Sequence, residues 1–235
     1  MRTLPSNKKN CWCAMRTSKF TNRFWSSLQS IYFIRKKAMT AQLITEKTSI
    51  QEQQFILPGR HTWEQFKAIQ TAIENTPGLK ISYLDGIIQF MTIGETHERL
   101  KTIIGSLLEQ YFLENNIQFD SAGSATRANE TKQVSFEPDE SYYLGEKKAH
   151  PDLAIEVALT SGGKGKLEKY KRLGITEVWF WENNQLSVYR FRGEEYEEVS
   201  NSELLPELDL ELLARCVKMP TQFEAMKEFI KVIRQ

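Results

Sequence analysis

Cysteine is scarce in this chain of 235 residues, which contains only Cys11, Cys13 and Cys216. An odd number of cysteines without a regular spacing argues against the disulfide scaffold of a small secreted protein. Cys11 and Cys13 have no second pair of ligands nearby, so their spacing does not indicate a zinc site. We therefore expect a reducing, cytoplasmic location.

Long apolar runs are also lacking. No stretch approaches the roughly 20 consecutive apolar residues that a transmembrane helix needs, so we expect no membrane partner. Hydrophobic residues nevertheless make up 40% of the chain and charged residues 26%, which is ordinary for a globular protein with a substantial core. The length fits one large domain, or one domain with appendages.

Acidic residues are missing from residues 1–38, which contain nine Lys and Arg. The other 22 basic residues stand against all 30 acidic ones, so the rest of the chain carries a net charge of −8. The basic segment fits a nucleic-acid-binding arm, a transit peptide, or an over-long start with the biological chain beginning at Met39. We favour the over-long start, and we expect residues 1–54 to be either that or a disordered extension.

The first folded segment is predicted to be a helix followed by a β-hairpin. Thr62 and Gln65 form a capping box, and Pro77-Gly78 ends the helix. Asp85-Gly86 stands between two apolar runs, which favours a hairpin because a type I′ turn needs positive φ at both central residues. Apolar residues then recur at helical spacing from about residue 95 to residue 114.

The second half of the chain alternates predicted strands and helices. Gly174 ends one helix, and Asn183-Asn184 joins two strands in a second hairpin. The predicted strands are 117–119, 134–136, 153–157, 177–181 and 186–191, and the predicted helices are 164–173, 203–217 and 221–233. The pattern indicates an α/β (α+β) fold with a mixed sheet flanked by helices.

Carboxylates near strand ends are the first candidates for chemistry. Pro138-Asp139 and Pro151-Asp152 each mark the edge of a strand, and Glu156 lies four residues after Asp152. Four residues of one strand span roughly 13 Å, which is too far for Asp152 and Glu156 to share a metal ion. Neighbouring strands lie roughly 4.8 Å apart, so the geometry favours Asp139 with Glu156 and leaves Asp152 a supporting position.

Glu156 also interrupts an apolar run, where an ionised side chain is costly unless it is paired or binds a metal. Lys166 follows a glycine-containing loop after this strand and could stabilise charge on a phosphate, with Lys164 and Lys169 as competing cations and Lys169 also as a supporting one. Each lysine could instead belong to the solvated face of an amphipathic helix. Glu98 could add a metal ligand at the start of the long helix, and His97 could support it or be only a polar residue at the helix end.

Three segments in this order resemble the Uma2 family of restriction-endonuclease-type proteins, which is abundant in cyanobacteria and belongs to the PD-(D/E)XK nuclease superfamily. They are residues 137–143 (EPDESYY), 150–157 (HPDLAIEV) and 166–179 (KLEKYKRLGITEVW). The resemblance covers about residues 55–215, and it implies a restriction-endonuclease-like fold with a four-stranded mixed sheet between helices. Residues 216–235 are expected to add a C-terminal helix.

The resemblance also implies a magnesium-dependent phosphodiesterase site, in which Mn²⁺ could replace Mg²⁺. Asp139 and Glu156 match the metal carboxylates, and Glu98 matches the carboxylate of the first helix. The superfamily lysine two residues after the glutamate is replaced by Ala158. In the family a lysine four residues before a helix tyrosine takes its place, and Lys166 has this position here.

The resulting expectation is a Mg²⁺-dependent endonuclease that cleaves DNA. A homodimer is plausible because two cuts on a duplex suit twofold symmetry. The alternative is a non-catalytic module on a nuclease scaffold that binds nucleic acid or protein, which the acidic body of the chain and Ala158 favour.

Overall fold

The computed structural model describes residues 52–159 and 163–235. The predictions for the basic segment, for Cys11 and Cys13, and for most of the extension 1–54 fall outside these residues. Among the described residues, none of the helices is both long enough and apolar enough to cross a membrane.

The first sheet is antiparallel and is built around the predicted hairpin. Asp85 and Gly86 have φ values of 46° and 86°, as a type I′ turn requires, so the hairpin prediction is confirmed. The capping box of Thr62 and Gln65 is present at the start of the helix before it. The elements are β1 (Gln54–Ile56), α1 (Trp63–Ile73), β2 (Leu79–Leu84), β3 (Ile87–Thr92), β5 (Arg127–Asn129) and β6 (Val134–Phe136), with strand order β1-β3-β2-β6-β5.

The second sheet is mixed and has six strands rather than the four that the resemblance implies. Its one parallel pair is β8 with β9, which are joined through a 3₁₀ turn (Gly163–Lys166) and α3 (Leu167–Leu173). The strands are β4 (Phe119–Ser121), β7 (Glu140–Leu144), β8 (Leu153–Ala158), β9 (Glu177–Glu182), β10 (Gln185–Phe191) and β11 (Tyr196–Val199), in the order β11-β10-β9-β8-β7-β4. The described residues thus form a mixed α/β fold with two sheets and five α-helices, which is consistent with the restriction-endonuclease-like class.

One face of the second sheet is covered by α2 (Glu95–Glu114), α4 (Leu210–Val217) and α5 (Gln222–Ile233). The last helix belongs to this core, because Ala225 and Phe229 are fully buried in it. The predicted helix 203–217 begins only at Leu210. Asp209 caps it by accepting hydrogen bonds from the backbone N–H groups of residues 211 and 212, and the preceding residues are held by the second sheet instead.

The other face of the second sheet packs against α3 and the strands of the first sheet. Tyr170 and Leu173 of α3 are buried with Phe136 of β6 and Phe180 of β9. Gly174 ends α3 with φ 69°, the left-handed conformation expected of a residue that terminates a helix. Between this helix and the β2–β3 hairpin lies a cleft with both polar and apolar lining residues.

Candidate active site

The two predicted carboxylates lie at neighbouring positions of the second sheet. Glu140, the first residue of β7, pairs with Ile155 of β8, so Asp139, directly before β7, lies next to the segment of β8 that contains Glu156. The backbone N–H of Asp139 donates to the carbonyl of Ile155 at 3.1 Å. Both side chains are buried, at 0% and 3% exposure. A buried pair of carboxylates requires nearby cations or strong donors, and the structure supplies both.

Asp139 is surrounded by donors from three elements. Its Oδ1 accepts a hydrogen bond from Lys80 Nζ at 2.6 Å and lies 3.0 Å from His97 Nε2. Its Oδ2 accepts from the backbone N–H of Val157 at 2.8 Å. Burial would raise the pKa of Asp139, but the contacts with His97 and Lys80 outweigh it and hold that pKa below its usual range. Asp139 is therefore ionised.

Glu156 is held by two residues of the following turn and helix. Its Oε2 lies 2.5 Å from Lys166 Nζ, and its Oε1 accepts a hydrogen bond from the Tyr170 hydroxyl. Burial opposes the charge of Lys166, yet Glu156 and Asp139 outweigh it and raise the pKa of the lysine. Burial and the neighbouring Glu156 raise the pKa of Tyr170 well above its ordinary value, so the phenol stays protonated and donates.

His97 connects Asp139 to a further carboxylate, Glu52. Its Nδ1 lies 3.2 Å from Glu52 Oε2, which also accepts from the backbone N–H of Leu159 at 3.3 Å. Burial would lower the pKa of His97, but the two carboxylates outweigh it and raise the pKa to about 9. The imidazolium thus lies between Glu52 and Asp139, which fixes the orientation of the Asp139 side chain.

A dependence of stability on pH follows from the His97 contacts. Because the pKa of His97 in the folded protein lies above the 6.5 of the unfolded chain, its stabilisation is complete below about pH 6.5. It is lost as the pH rises through about 9. The free energy of unfolding of the wild type relative to His97→Gln is expected to fall by about 2–3 kcal/mol between pH 6 and pH 10, in urea titrations with EDTA.

His61→Gln is the control for that series. The ring of His61 lies 3.2 Å from the carbonyl oxygen of Pro58 rather than between carboxylates. The difference in free energy of unfolding between the wild type and His61→Gln should therefore vary little between pH 6 and pH 10. If the difference between the wild type and His97→Gln were equally constant over this pH range, the protonated state of His97 would be contradicted.

A third lysine, Lys169, also faces the cleft. Its Nζ donates to Ser82 Oγ at 2.7 Å and to Gln89 Oε1 at 3.1 Å. The cleft encloses about 400 Å³, including space open to solvent. Its lining residues come from both sheets and from α3, and they include Lys80, Ser82, Gln89, Glu137, Glu156, Lys166, Lys169 and Tyr170.

Two predicted residues lie away from the Asp139–Glu156 pair. Glu98 is half-exposed, and its Oε2 lies 2.9 Å from Lys101 Nζ one helical turn away. The residue of α2 that contacts Asp139 is instead His97. Asp152 is buried, but it accepts from the backbone N–H of Leu144 at 3.0 Å and thereby braces the β7–β8 connection. In the part of the chain that the structure describes, no three His, Cys, Asp or Glu side chains form a ready-made metal cluster.

Two residues that the sequence analysis missed complete the arrangement, Lys80 and Glu52. Lys80 lies on β2, on the face opposite to its neighbours Leu79 and Ile81, but nothing local indicates that it reaches Asp139. Glu52 fell inside the predicted extension and carried no motif. The cluster thus combines three anions (Asp139, Glu156 and Glu52) with three cations (Lys80, Lys166 and His97).

The comparison with protein families agrees with the resemblance seen in the sequence. The Uma2 family model, described as "Putative restriction endonuclease", matches residues 63–221. The match extends from α1 to the loop before α5 and includes Lys80, His97, Asp139, Glu156 and Lys166. No curated protein matches the chain.

Proposed function

Because the chain belongs to the Uma2 family of restriction-endonuclease-type proteins, we propose that it is a metal-dependent endonuclease that hydrolyses phosphodiester bonds in DNA. The observation that carries the proposal is the buried pair of carboxylates, Asp139 and Glu156, of which Glu156 lines a cleft together with three lysines. These lysines provide a local positive charge, which favours binding of an anionic polymer such as DNA even though the overall charge of the domain is negative.

The donor set of this pair fits Mg²⁺, with Mn²⁺ as a substitute. Mg²⁺ binds through one or two carboxylates and keeps several waters, and Mn²⁺ accepts the same oxygen ligands. Asp139 is ionised, and its Oδ2 accepts one hydrogen bond, from the Val157 N–H, so the second lone pair of this oxygen can bind a metal ion. When bound there, the ion would lower the pKa of a water and polarise the phosphate. Glu98 is not needed in this set.

The surrounding residues would orient the two carboxylates and balance charge. His97 and the backbone N–H of Val157 fix the two oxygens of Asp139, and Tyr170 fixes one oxygen of Glu156. Lys166 stays protonated beside Glu156 and would stabilise negative charge that develops on the phosphate.

A cleavage assay on supercoiled plasmid tests the proposal. Nicked or linear product is expected with Mg²⁺ or Mn²⁺ and none with EDTA. An RNA substrate and a single-stranded DNA run in parallel define the nucleic acid. Absence of cleavage of every DNA substrate with both metals would overturn the proposed activity, and cleavage of RNA alone would overturn the choice of DNA.

A second candidate function is a non-catalytic binding module on the same scaffold. One observation favours it: all four oxygens of Asp139 and Glu156 already contact protein donors. Calorimetry separates the two functions, because the nuclease should bind Mg²⁺ or Mn²⁺ and the module should bind neither.

We also propose that the protein forms a homodimer, since twofold symmetry suits two cuts on a duplex. Light scattering, which measures the molar mass in solution, tests this proposal.

A further inference from the structure

The three lysines at the cleft differ in whether the groups that they contact are charged or neutral. Lys80 Nζ lies 2.6 Å from a carboxylate oxygen of Asp139, and Lys166 Nζ lies 2.5 Å from one of Glu156. Among the described residues, Lys169 Nζ contacts Ser82 and Gln89, and both are neutral. An anion entering the cleft would therefore gain most from Lys169, because the other two ammonium groups are already paired.

The neutral partners of Lys169 form a small platform on the hairpin. Ser82 of β2 and Gln89 of β3 are direct neighbours in the sheet, and both face α3. Gln89 is itself held in place, because its Nε2 donates to Gln54 Oε1 at 2.9 Å. Ser82 Oγ accepts from Lys169, which leaves the proton of its hydroxyl available as a donor.

The ammonium of Lys169 is partly buried and contacts no carboxylate among the described residues, which is costly in the absence of an anion. Burial, followed by the nearby charge of Lys166, lowers the pKa of Lys169 to about 8, although Glu156 acts in the opposite direction. A buried cation without a counter-ion reduces stability, and such a residue is commonly retained for a ligand that supplies the missing charge.

We propose that Lys169 Nζ, together with the hydroxyl of Ser82, binds a phosphate of the DNA backbone inside the cleft. The inference rests on the proposed function and adds to it a substrate-binding residue distinct from Lys166. In this arrangement Lys166 remains paired with Glu156, and Lys169 holds the phosphate beside the two carboxylates.

The test measures the affinity of a labelled DNA duplex at several salt concentrations in EDTA, which prevents metal-dependent cleavage. Loss of a charge-assisted hydrogen bond should weaken binding of Lys169→Gln by roughly 10- to 100-fold. One lost phosphate contact should also reduce the slope of log affinity against log salt by about 1. Lys169→Arg keeps the charge and should retain the wild-type slope.

Lys171→Gln is the matched control on the same helix, because Lys171 is ion-paired with Glu195 and Glu168 outside the cleft. Its affinity and slope should equal those of the wild type. The Tm of Lys169→Gln should be unchanged or higher, because the substitution removes an unpaired buried charge, whereas a merely structural lysine would lower it.

Calorimetric titration with inorganic phosphate separates the failure of this inference from failure of the proposed function. Phosphate binding that requires Lys169 in a protein that neither binds nor cuts DNA would overturn the nuclease and the choice of DNA as the ligand of Lys169, and would support only a phosphate site. If Lys169→Gln matched the wild type in DNA affinity, salt slope and phosphate binding, the anion site at Lys169 would be overturned and the proposed nuclease would not be affected. A wild type that binds neither phosphate nor DNA would overturn it as well.

Discussion

Asp139→Asn is expected to lower Mg²⁺-dependent DNA cleavage by roughly 10³-fold, the size of effect seen when a preorganised electrostatic group is removed from an active site. Asparagine keeps the shape and one oxygen acceptor for the Val157 N–H, but it removes the charge that would hold the metal. Initial rates on supercoiled plasmid at saturating Mg²⁺ measure the effect. Glu156→Gln should give a loss of similar size.

Folding must be measured alongside, because Asp139 neutralises Lys80 and His97 in a buried position. A lower Tm is expected for Asp139→Asn, so activity is compared below the unfolding transition of both proteins. Glu98→Gln is the control, because Glu98 is half-exposed and pairs with Lys101 within one helical turn. It should keep wild-type activity. If Asp139→Asn cleaved DNA as fast as the wild type, Asp139 would not be a metal ligand. If Glu98→Gln lost as much activity as Asp139→Asn, Glu98 would have to be included among the metal ligands.

Glu177→Ala is expected to reduce the free energy of unfolding by about 3–5 kcal/mol, a large share of the 5–15 kcal/mol typical of a folded protein. Glu177 is fully buried at the start of β9 and connects the second sheet to the segment before α4. Its carboxylate contacts Arg190 Nη1 at 3.4 Å, Ser202 Oγ at 2.7 Å, Trp179 Nε1 at 3.0 Å, and the backbone N–H groups of Glu203 at 2.7 Å and Leu204 at 3.0 Å. Alanine would leave the buried donors of Trp179 and Ser202 without this acceptor and would remove the ion pair with Arg190.

Urea unfolding measures this loss, and a fall in Tm of roughly 10 °C should accompany it. Glu195→Gln is the control, because Glu195 is 78% exposed and its ion pair with Lys171 lies at the surface. That substitution should change stability by less than about 1 kcal/mol. A loss for Glu177→Ala no larger than for Glu195→Gln would show that the Glu177 contacts contribute little to the fold.

Local sequence patterns were sufficient for most of the fold. The capping box at Thr62, the Asp85-Gly86 turn and the helix Glu95–Glu114 all appear where they were predicted. Strand spacing also favoured Asp139 rather than Asp152 as the neighbour of Glu156, and Asp139 lies directly before β7, where its N–H donates to the carbonyl of Ile155 in β8. These features depend on neighbours in the sequence or on the period of a strand.

The features that were missed depend on contacts between distant residues. The predicted helix 203–217 was too long, because the backbone N–H groups of Glu203 and Leu204 donate to Glu177 rather than taking part in a first helical turn. Lys80 and Glu52 are separated from their partners Asp139 and His97 by 59 and 45 residues. No local pattern encodes such pairings, so a single sequence does not reveal them.

The same long-range contacts determine when the site forms during folding. Lys169 reaches Ser82 across 87 residues, and Lys80 reaches Asp139 across 59, so each contact closes a long loop of chain. Such loops cost entropy that is recovered only after the two sheets have docked. We therefore expect the cleft to form late in folding, after β8 and β9 have paired. Partial opening of the β2–β3 hairpin would dismantle it while the second sheet remained folded.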